Sequence, residues 1–190
     1  KFKEKLTAEV AEIAKEFGDA GFPTSAKMPR LAFELGTDMT DQEVIAWIGD
    51  LDCYVNPSYG EGLGIPHVWA KAQGATLVTS GYGAVGQMVQ EIYRESGSTH
   101  DTLFPYQLTE VGPEVARIAL MFDKRTRWGG YKVEDLAGAM TAQFAFGRYF
   151  DRPAAVATRA MFGADACLHA VRAGLLRLVP QKWASEWRLG

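Results

Sequence analysis

Apolar and polar positions along the chain follow patterns that predict helices and short strands. A helical face opens the sequence and consists of Phe2, Leu6, Val10, Ile13 and Phe17. Apolar runs at 31–33, 52–56 and 76–79 predict strands. The capping box at 40–43 predicts a helix that continues through Ile48. Strands and helices that alternate with short connections are typical of a parallel, right-handed α/β sheet.

The second half of the chain is mainly helical in its pattern. The helical period recurs at Ile65, Val68, Trp69 and Ala72, at Val85, Met88, Val89 and Ile92, and then over 115–122, 133–144 and 168–178, with another helix opened by Pro153. The stretch from Glu95 to Gly112 is the least regular and predicts a long loop with a short strand. Because no repeat or linker interrupts the pattern, we expect a single domain over residues 1–190.

Composition and charge narrow the class of protein. The 190 residues suffice for one hydrophobic core, and 20 basic against 23 acidic residues argue against nucleic acid or an anionic membrane as the main partner. Without a signal peptide or a membrane-length apolar run, we expect a cytoplasmic protein. The two cysteines, Cys53 and Cys167, form no zinc spacing, so no metal site is predicted. Because the first residue is Lys1 rather than Met, we expect an excerpt of a longer chain.

Two glycine loops follow predicted strands, and the second of them matches the dinucleotide fingerprint G-x-G-x-x-G at Gly81–Gly86. A dinucleotide site also needs a strand that ends in an acid about 20 residues further on. Residues 95–101 occupy that region and predict a loop. A nicotinamide-dependent Rossmann enzyme is therefore a rival hypothesis, and a tight strand-to-helix turn is the simpler interpretation of this segment.

The first loop, residues 57–66, is the stronger candidate for a ligand site. Its alternate glycines, Gly60, Gly62 and Gly64, allow a ligand to approach the backbone just before a helix N-terminus. The unpaired amides and the dipole at a helix N-terminus favour the binding of phosphate. Glu61 would repel a bare phosphate, so its carboxylate is better suited to accept hydrogen bonds from hydroxyls. The loop thus predicts a ligand that carries both phosphate and polyol, a sugar nucleotide. A surface Glu beside a turn is the structural alternative.

The segments 50–58 and 61–66 resemble the donor-site signature of retaining GT-B glycosyltransferases, the glycosyl transferases group 1 family. The helix predicted at 40–46 and the strand and glycine turn at 75–85 resemble the elements that the family places before and after that signature. The resemblance covers about residues 28–90 clearly and the helical tail only loosely.

The resemblance implies a three-layer, Rossmann-like parallel sheet, the C-terminal lobe of a two-lobed enzyme, with a helical C-terminal tail. It implies a nucleotide-diphosphate sugar as donor substrate, no cofactor, no metal, and a missing N-terminal lobe as partner. This chain alone is then expected to be inactive. The donor-binding residues would be Gly60, Glu61, Gly62, Leu63, Gly64 and Ile65. Glu61 would be the catalytic-site residue, orienting the sugar rather than acting as an acid or base.

Two departures from the family pattern distinguish this chain from the family that it resembles. Trp69 stands where the family carries a second Glu for the ribose, and an indole cannot accept those hydrogen bonds. Ribose recognition is then altered, and because Trp69 falls on the apolar helix face we expect it to pack in the core. The family's basic pair for the diphosphate has no match. A non-catalytic GT-B-like binding or interaction domain is therefore the alternative function.

Three other features have both a functional and a structural interpretation. The tail at 172–188 mixes leucine and tryptophan with basic residues and could lie on a membrane surface, but packing on the other lobe is favoured. Arg125, Arg127 and Trp128 could form an anion-binding patch, but we favour a charged turn with one anchoring aromatic. His67 could reach a ligand, although a His near a helix end is more often structural.

Overall fold

The computed structural model describes Ala8, Glu12 and residues 39–98, 100–113, 126–147 and 149–178. The chain divides into two compact units, Lys1–Asp41 and Gln42–Gly190. Compact units need not fold independently, so the single domain predicted over 1–190 stays a prediction. Apart from Ala8 and Glu12, which are helical, the predicted opening helix lies outside the described residues. The same holds for the strand at 31–33, the helix over 115–122 and the tail beyond Leu178.

Helices and strands alternate from residue 41 to residue 104, and two further strands and three further helices follow among the described residues. In chain order they are α1 (Asp41–Gly49), β1 (Cys53–Asn56), α2 (Ile65–Ala72), β2 (Thr76–Ser80), α3 (Gly83–Ser96), β3 (Thr102–Phe104), β4 (Gln107–Glu110), β5 (Arg127–Gly130), α4 (Val133–Phe146), α5 (Arg152–Phe162) and α6 (Ala164–Leu178). The structure confirms six of the predicted helices. They are the helices predicted from the capping box, after Pro66, from Val85, over 133–144, at Pro153 and over 168–178.

Strands β1, β2 and β3 form a parallel sheet in that spatial order. Cys53 pairs with Thr76, and Val78 pairs with Thr102. Because α2 connects β1 to β2 and α3 connects β2 to β3, the predicted parallel α/β organisation is confirmed. The layout is compatible with a Rossmann-like fold.

Helices cover both faces of this sheet, and successive residues of one strand point to opposite faces. Leu77 packs into a cluster with residues of α2, α3 and α5, whereas its neighbour Val78 packs with Phe104 and Ala139 on the side of α4. Both β2 side chains are fully buried. The two-residue period of a strand therefore builds the three layers, helix, sheet and helix, with a core on each side.

A buried ionic cluster lies at the amino edge of the sheet. The Lys71 ammonium, at the end of α2, contacts the carboxylates of Asp101 at 2.9 Å and Asp151 at 3.1 Å. The backbone N–H of Leu77 donates to Asp101, at 2.8 Å, and Ser98 donates to Asp151. Asp151 is also the N-cap of α5, where it accepts from a backbone N–H at 3.1 Å. The cluster thus joins α2, the sheet and α5.

A second, two-stranded antiparallel sheet interrupts the α/β pattern between β3 and α4. In it β4 pairs with β5, so that Thr109 lies opposite Trp128. The long loop with one short strand predicted between Glu95 and Gly112 is therefore only partly right, because both β3 and β4 lie there. The charged turn expected at Arg125, Arg127 and Trp128 is wrong for Arg127 and Trp128, since both belong to β5, and Arg125 lies outside the described residues. Every residue of β4 is exposed, so no apolar alternation signals this two-stranded sheet.

The C-terminal tail is helical as predicted up to Leu178, through α5 and α6. Among the residues that the structure describes, no helix combines the length and the apolar character needed to cross a bilayer.

Candidate functional site

The two glycine loops meet at the carboxyl edge of the parallel sheet. One follows β1 after Asn56 and the other follows β2 after Ser80. Parallel strands bring their carboxyl ends to one edge, which is where open α/β sheets bind ligands. A cavity of about 680 Å³ opens there. It is lined by Ser58, Tyr59, Gly60, Glu61, Gly62, Tyr82, Gly83, Arg127 and Trp128.

Local hydrogen bonds fix the start of the first loop. The Asn56 side-chain oxygen accepts from the backbone N–H of Ser58 at 2.8 Å, which turns the chain as β1 ends. The Ser58 hydroxyl donates to the Gly60 carbonyl at 2.9 Å and accepts from the Gly60 N–H at 3.3 Å. The Asn56 amide also donates to the Tyr54 hydroxyl at 3.2 Å. The loop therefore enters the cavity in a conformation that its own polar side chains define.

The three glycines of the first loop serve different purposes. Gly64 caps α2 in a left-handed conformation at φ 74°, and a Cβ there would lie 2.6 Å from Val85 and 2.7 Å from His67. Gly60 and Gly62 have no positive φ, and a Cβ at either would meet nothing within 4 Å. The fold thus requires Gly64, whereas Gly60 and Gly62 leave open space at the cavity wall.

Glu61 is exposed on the cavity wall, near the half-buried Tyr54 and the buried His67. Burial raises the pKa of the Tyr54 hydroxyl, the hydrogen bond with Asn56 opposes this, and the Glu61 charge raises it further. Burial lowers the pKa of His67, and the Glu61 charge and the Gly64 carbonyl offset this only in part. The negative charge of Glu61 therefore acts on Tyr54 and His67 behind the loop, while its own side chain is exposed to solvent.

His67 lies behind the loop as a fully buried side chain and does not line the cavity. One ring nitrogen, Nε2, lies 3.1 Å from the Thr79 hydroxyl, and the ring meets Tyr54 edge-on at 5.3 Å. The other nitrogen, Nδ1, has no hydrogen-bond partner among the described residues. His67 thus has the structural role that its place near the helix end predicts.

The predicted donor-binding residues divide into two groups. Gly60, Glu61 and Gly62 line the cavity. Leu63 and Ile65 are exposed but lie outside its lining, and Gly64 is buried beneath it. The tertiary structure therefore brings only the first half of the predicted set to the cavity.

Trp69 packs against the apolar cluster formed by α2, α3 and α5 and does not line the cavity. The core role expected for it is confirmed. An indole held there presents no acceptor to a ribose, so this position cannot supply the contact that a Glu would make.

Arg127 and Trp128 line the cavity from outside both glycine loops, and the sequence favoured a charged turn for them rather than a place in this site. Two hydrogen bonds attach β5 to the glycine loops: the Gly129 N–H donates to the Tyr59 carbonyl at 2.8 Å, and the Tyr82 hydroxyl donates to the Arg127 carbonyl at 3.2 Å. The Trp128 ring lies 5.0 Å from that of Tyr59. The paired glycines after Trp128 are the one sequence signal, because a Cβ on Gly129 would lie 2.6 Å from Tyr82.

The G-x-G-x-x-G segment has the strand–turn–helix context of its motif but lacks the acid. The next strand, β3, is preceded by Asp101, and that carboxylate is bound to Lys71 at the opposite edge of the sheet. Gly86 has a packing role, since a Cβ there would lie 2.1 Å from the Gly81 carbonyl oxygen. The segment therefore forms a tight turn that brings α3 close to β2.

No protein-family model, curated protein or solved structure matches this chain. Within the described ranges, no group of three or more His, Cys, Asp or Glu side chains could hold a metal ion.

Proposed function

We propose that this chain is the donor-binding lobe of a retaining GT-B glycosyltransferase, which transfers a sugar from a nucleotide-diphosphate sugar to an acceptor. The observation that carries the proposal is the cavity at the carboxyl edge of the parallel sheet, where Glu61 and the open glycines Gly60 and Gly62 stand before α2. The sequence resemblance at 50–66 supplies the family, and this cavity gives its signature loop room for a ligand.

The chemistry of such a site is positioning and charge stabilisation. Glu61, with its carboxylate exposed at the cavity, accepts hydrogen bonds from the sugar hydroxyls. The N-terminal end of α2, which begins after Gly64, carries partial positive charge that favours the departing diphosphate. The acceptor side comes from the N-terminal lobe, so this chain binds the donor and does not complete the transfer.

Donor binding is the property to test first. We expect one of the UDP-, GDP- or ADP-sugars to raise the melting temperature of the protein, because a ligand that binds only the folded state stabilises it. NAD serves as the negative control, since the acid of the dinucleotide fingerprint is absent from the end of β3. A panel in which no nucleotide sugar shifts the melting temperature would refute the proposal.

The role of Glu61 is separable from folding because the side chain is exposed. We expect Glu61→Gln to weaken the nucleotide sugar about 10-fold or more, as the loss of a charged hydrogen-bond acceptor does, and to change the affinity for the free nucleoside diphosphate little. Glu134→Gln on α4, also exposed, is the matched control. Equal affinities of Glu61→Gln and the unaltered protein for the sugar nucleotide would remove Glu61 from the site.

The second candidate function is a non-catalytic GT-B-like binding domain, and the position of Trp69 in the core favours it. Such a domain would bind a nucleotide sugar or a partner protein without transferring a sugar. Transfer assays on the two-lobed protein distinguish the candidates, because turnover supports the enzyme and donor binding without turnover supports the binding domain.

A further inference from the structure

The two-stranded sheet β4–β5 is attached to both glycine loops of the candidate site. It leaves the parallel sheet after Phe104 and rejoins the α/β pattern at α4. The Gly129 N–H is bound to the first loop at Tyr59, and the Arg127 carbonyl is bound to Tyr82 after β2. The backbone on either side of the Trp128 side chain is therefore fixed relative to the cavity.

Two opposite charges line this one cavity: the carboxylate of Glu61 and the guanidinium of Arg127. Both residues are exposed. No ion pair joins Arg127 to a carboxylate within the described residues, and Glu61 is the only other charged residue of the lining. The guanidinium is thus available to an anion.

A nucleotide sugar has two polar halves with opposite requirements. Its sugar hydroxyls donate hydrogen bonds to a carboxylate, and its diphosphate is repelled by one. A planar guanidinium matches two phosphate oxygens at once and supplies the compensating charge. One acid and one guanidinium on the same cavity wall therefore fit the two halves of such a ligand.

We propose that the two-stranded sheet β4–β5 supplies the diphosphate-binding cation of this site, Arg127. The inference rests on the proposed function and assigns the diphosphate contact to a strand outside the parallel sheet. Trp128 and Tyr59, whose rings lie 5.0 Å apart, hold the strand against the loop and position Arg127. Gly129 also helps to position Arg127, because only a residue without a Cβ allows β5 to lie this close to Tyr82.

Titration calorimetry with UDP, GDP and ADP tests this assignment. For the diphosphate that the unaltered protein binds, we expect Arg127→Ala to lower the affinity about 10- to 100-fold, the usual effect of losing hydrogen bonds to a charged group. The affinity of Arg127→Lys should lie between those of the unaltered protein and Arg127→Ala, because Lys keeps the charge but lacks the bidentate fork of the guanidinium. Arg94→Ala is the matched control, since this exposed Arg lies on α3 in contact with Glu91.

The outcomes separate this inference from the proposed function. If the unaltered protein binds a nucleoside diphosphate and Arg127→Ala binds it equally well, Arg127 is not the cation and the donor-lobe proposal stands. If the unaltered protein binds none of the three diphosphates and no nucleotide sugar, both fail. Because the Arg127 side chain is exposed, we expect the melting temperature of the unliganded variant to stay unchanged, so lost affinity reports on binding.

Discussion

The two edges of the parallel sheet both carry charged side chains, but these are buried and paired at the amino edge and exposed at the carboxyl edge. Helix α2 begins at the carboxyl edge beside Glu61 and ends at the amino edge with Lys71. At the amino edge Lys71 and Asp151 are fully buried and each contacts partners of opposite charge or hydrogen-bonding groups. At the carboxyl edge Glu61 and Arg127 are exposed around a cavity and form no ion pair within the described residues.

The difference teaches how to tell a structural cluster from a binding site. Burying a charge costs free energy unless opposite charges and hydrogen bonds compensate it, and the Lys71 cluster has both. Its groups are saturated by each other, so it offers nothing to a ligand. The charges at the carboxyl edge remain hydrated in the free protein and can exchange water for a ligand.

The largest effect is expected from breaking the amino edge. Lys71→Ala leaves Asp101 and Asp151 facing each other in a buried site without their shared cation. We expect the free energy of unfolding to fall by about 3–5 kcal/mol, measured by urea denaturation. Arg94→Ala, which removes an exposed ion pair, should cost no more than about 1 kcal/mol. A Lys71→Ala protein as stable as the Arg94→Ala control would show that the cluster does not stabilise the fold.

Two neighbouring glycines sharpen the comparison within the carboxyl edge. Gly64→Ala forces an L-residue into positive φ and against Val85, so we expect a loss of about 1–3 kcal/mol in the free energy of unfolding. Gly62→Ala meets open space and should change it by less than about 0.5 kcal/mol. Because Gly62 lines the cavity, its variant should instead weaken ligand binding. Equal stability losses in the two variants would contradict this division.

The pH dependence of stability separates the two acids of the buried cluster. Burial raises the pKa of Asp151, but the hydrogen bond from Ser98 and the charge of Lys71 outweigh it and leave that pKa below its ordinary value. Its contribution is complete above the unfolded-state pKa of about 4 and is lost as pH falls through the lower folded-state pKa. The stability difference between the unaltered protein and Asp151→Asn should therefore shrink below about pH 4.

Asp101 should show the opposite trend. Burial raises the pKa of Asp101 above its ordinary value despite the opposing charge of Lys71. Its contribution is complete at low pH and is lost as pH rises through the folded-state pKa. The stability difference between the unaltered protein and Asp101→Asn should shrink as pH rises from below about 4. Parallel urea titrations between pH 2 and 7 test both, and slopes of the same sign for the two variants would contradict the assignment.

The smallest effect is expected from His67, behind the glycine loop. Burial lowers the pKa of His67, so its contribution to stability is complete above the unfolded-state pKa of about 6.5 and is lost as pH falls through the lower folded-state value. We expect the free energy of unfolding of His67→Gln, measured by urea denaturation from pH 7 downward, to lack this part of the slope against pH. Thr79→Val, which removes the partner of Nε2 but keeps the buried imidazole, should retain it. An unchanged slope in His67→Gln would show that His67 does not titrate with unfolding.

Local sequence determined the parallel sheet and half of the site. The apolar runs of β1 and β2 and the helical periods of α2 and α3 predicted those elements. An apolar face repeats within a few residues, so the local sequence is enough to reveal it. The loop at 57–66 predicted Gly60, Glu61 and Gly62 at a ligand site, since glycine and helix-terminus chemistry is local. The position of Trp69 in the core followed from the same apolar face.

Only the tertiary structure decided which residues lie opposite that loop and which charged residues meet at the amino edge of the parallel sheet. The two-stranded sheet that carries Arg127 has an exposed first strand and shows no repeating pattern, and contacts of β5 with Tyr59 and Tyr82 hold it at the site. Lys71 and Asp151 stand 80 positions apart in the chain and meet because α5 packs on α2. Charged side chains carry no periodic signal of their partners, and their place in a fold is set by which elements pack together.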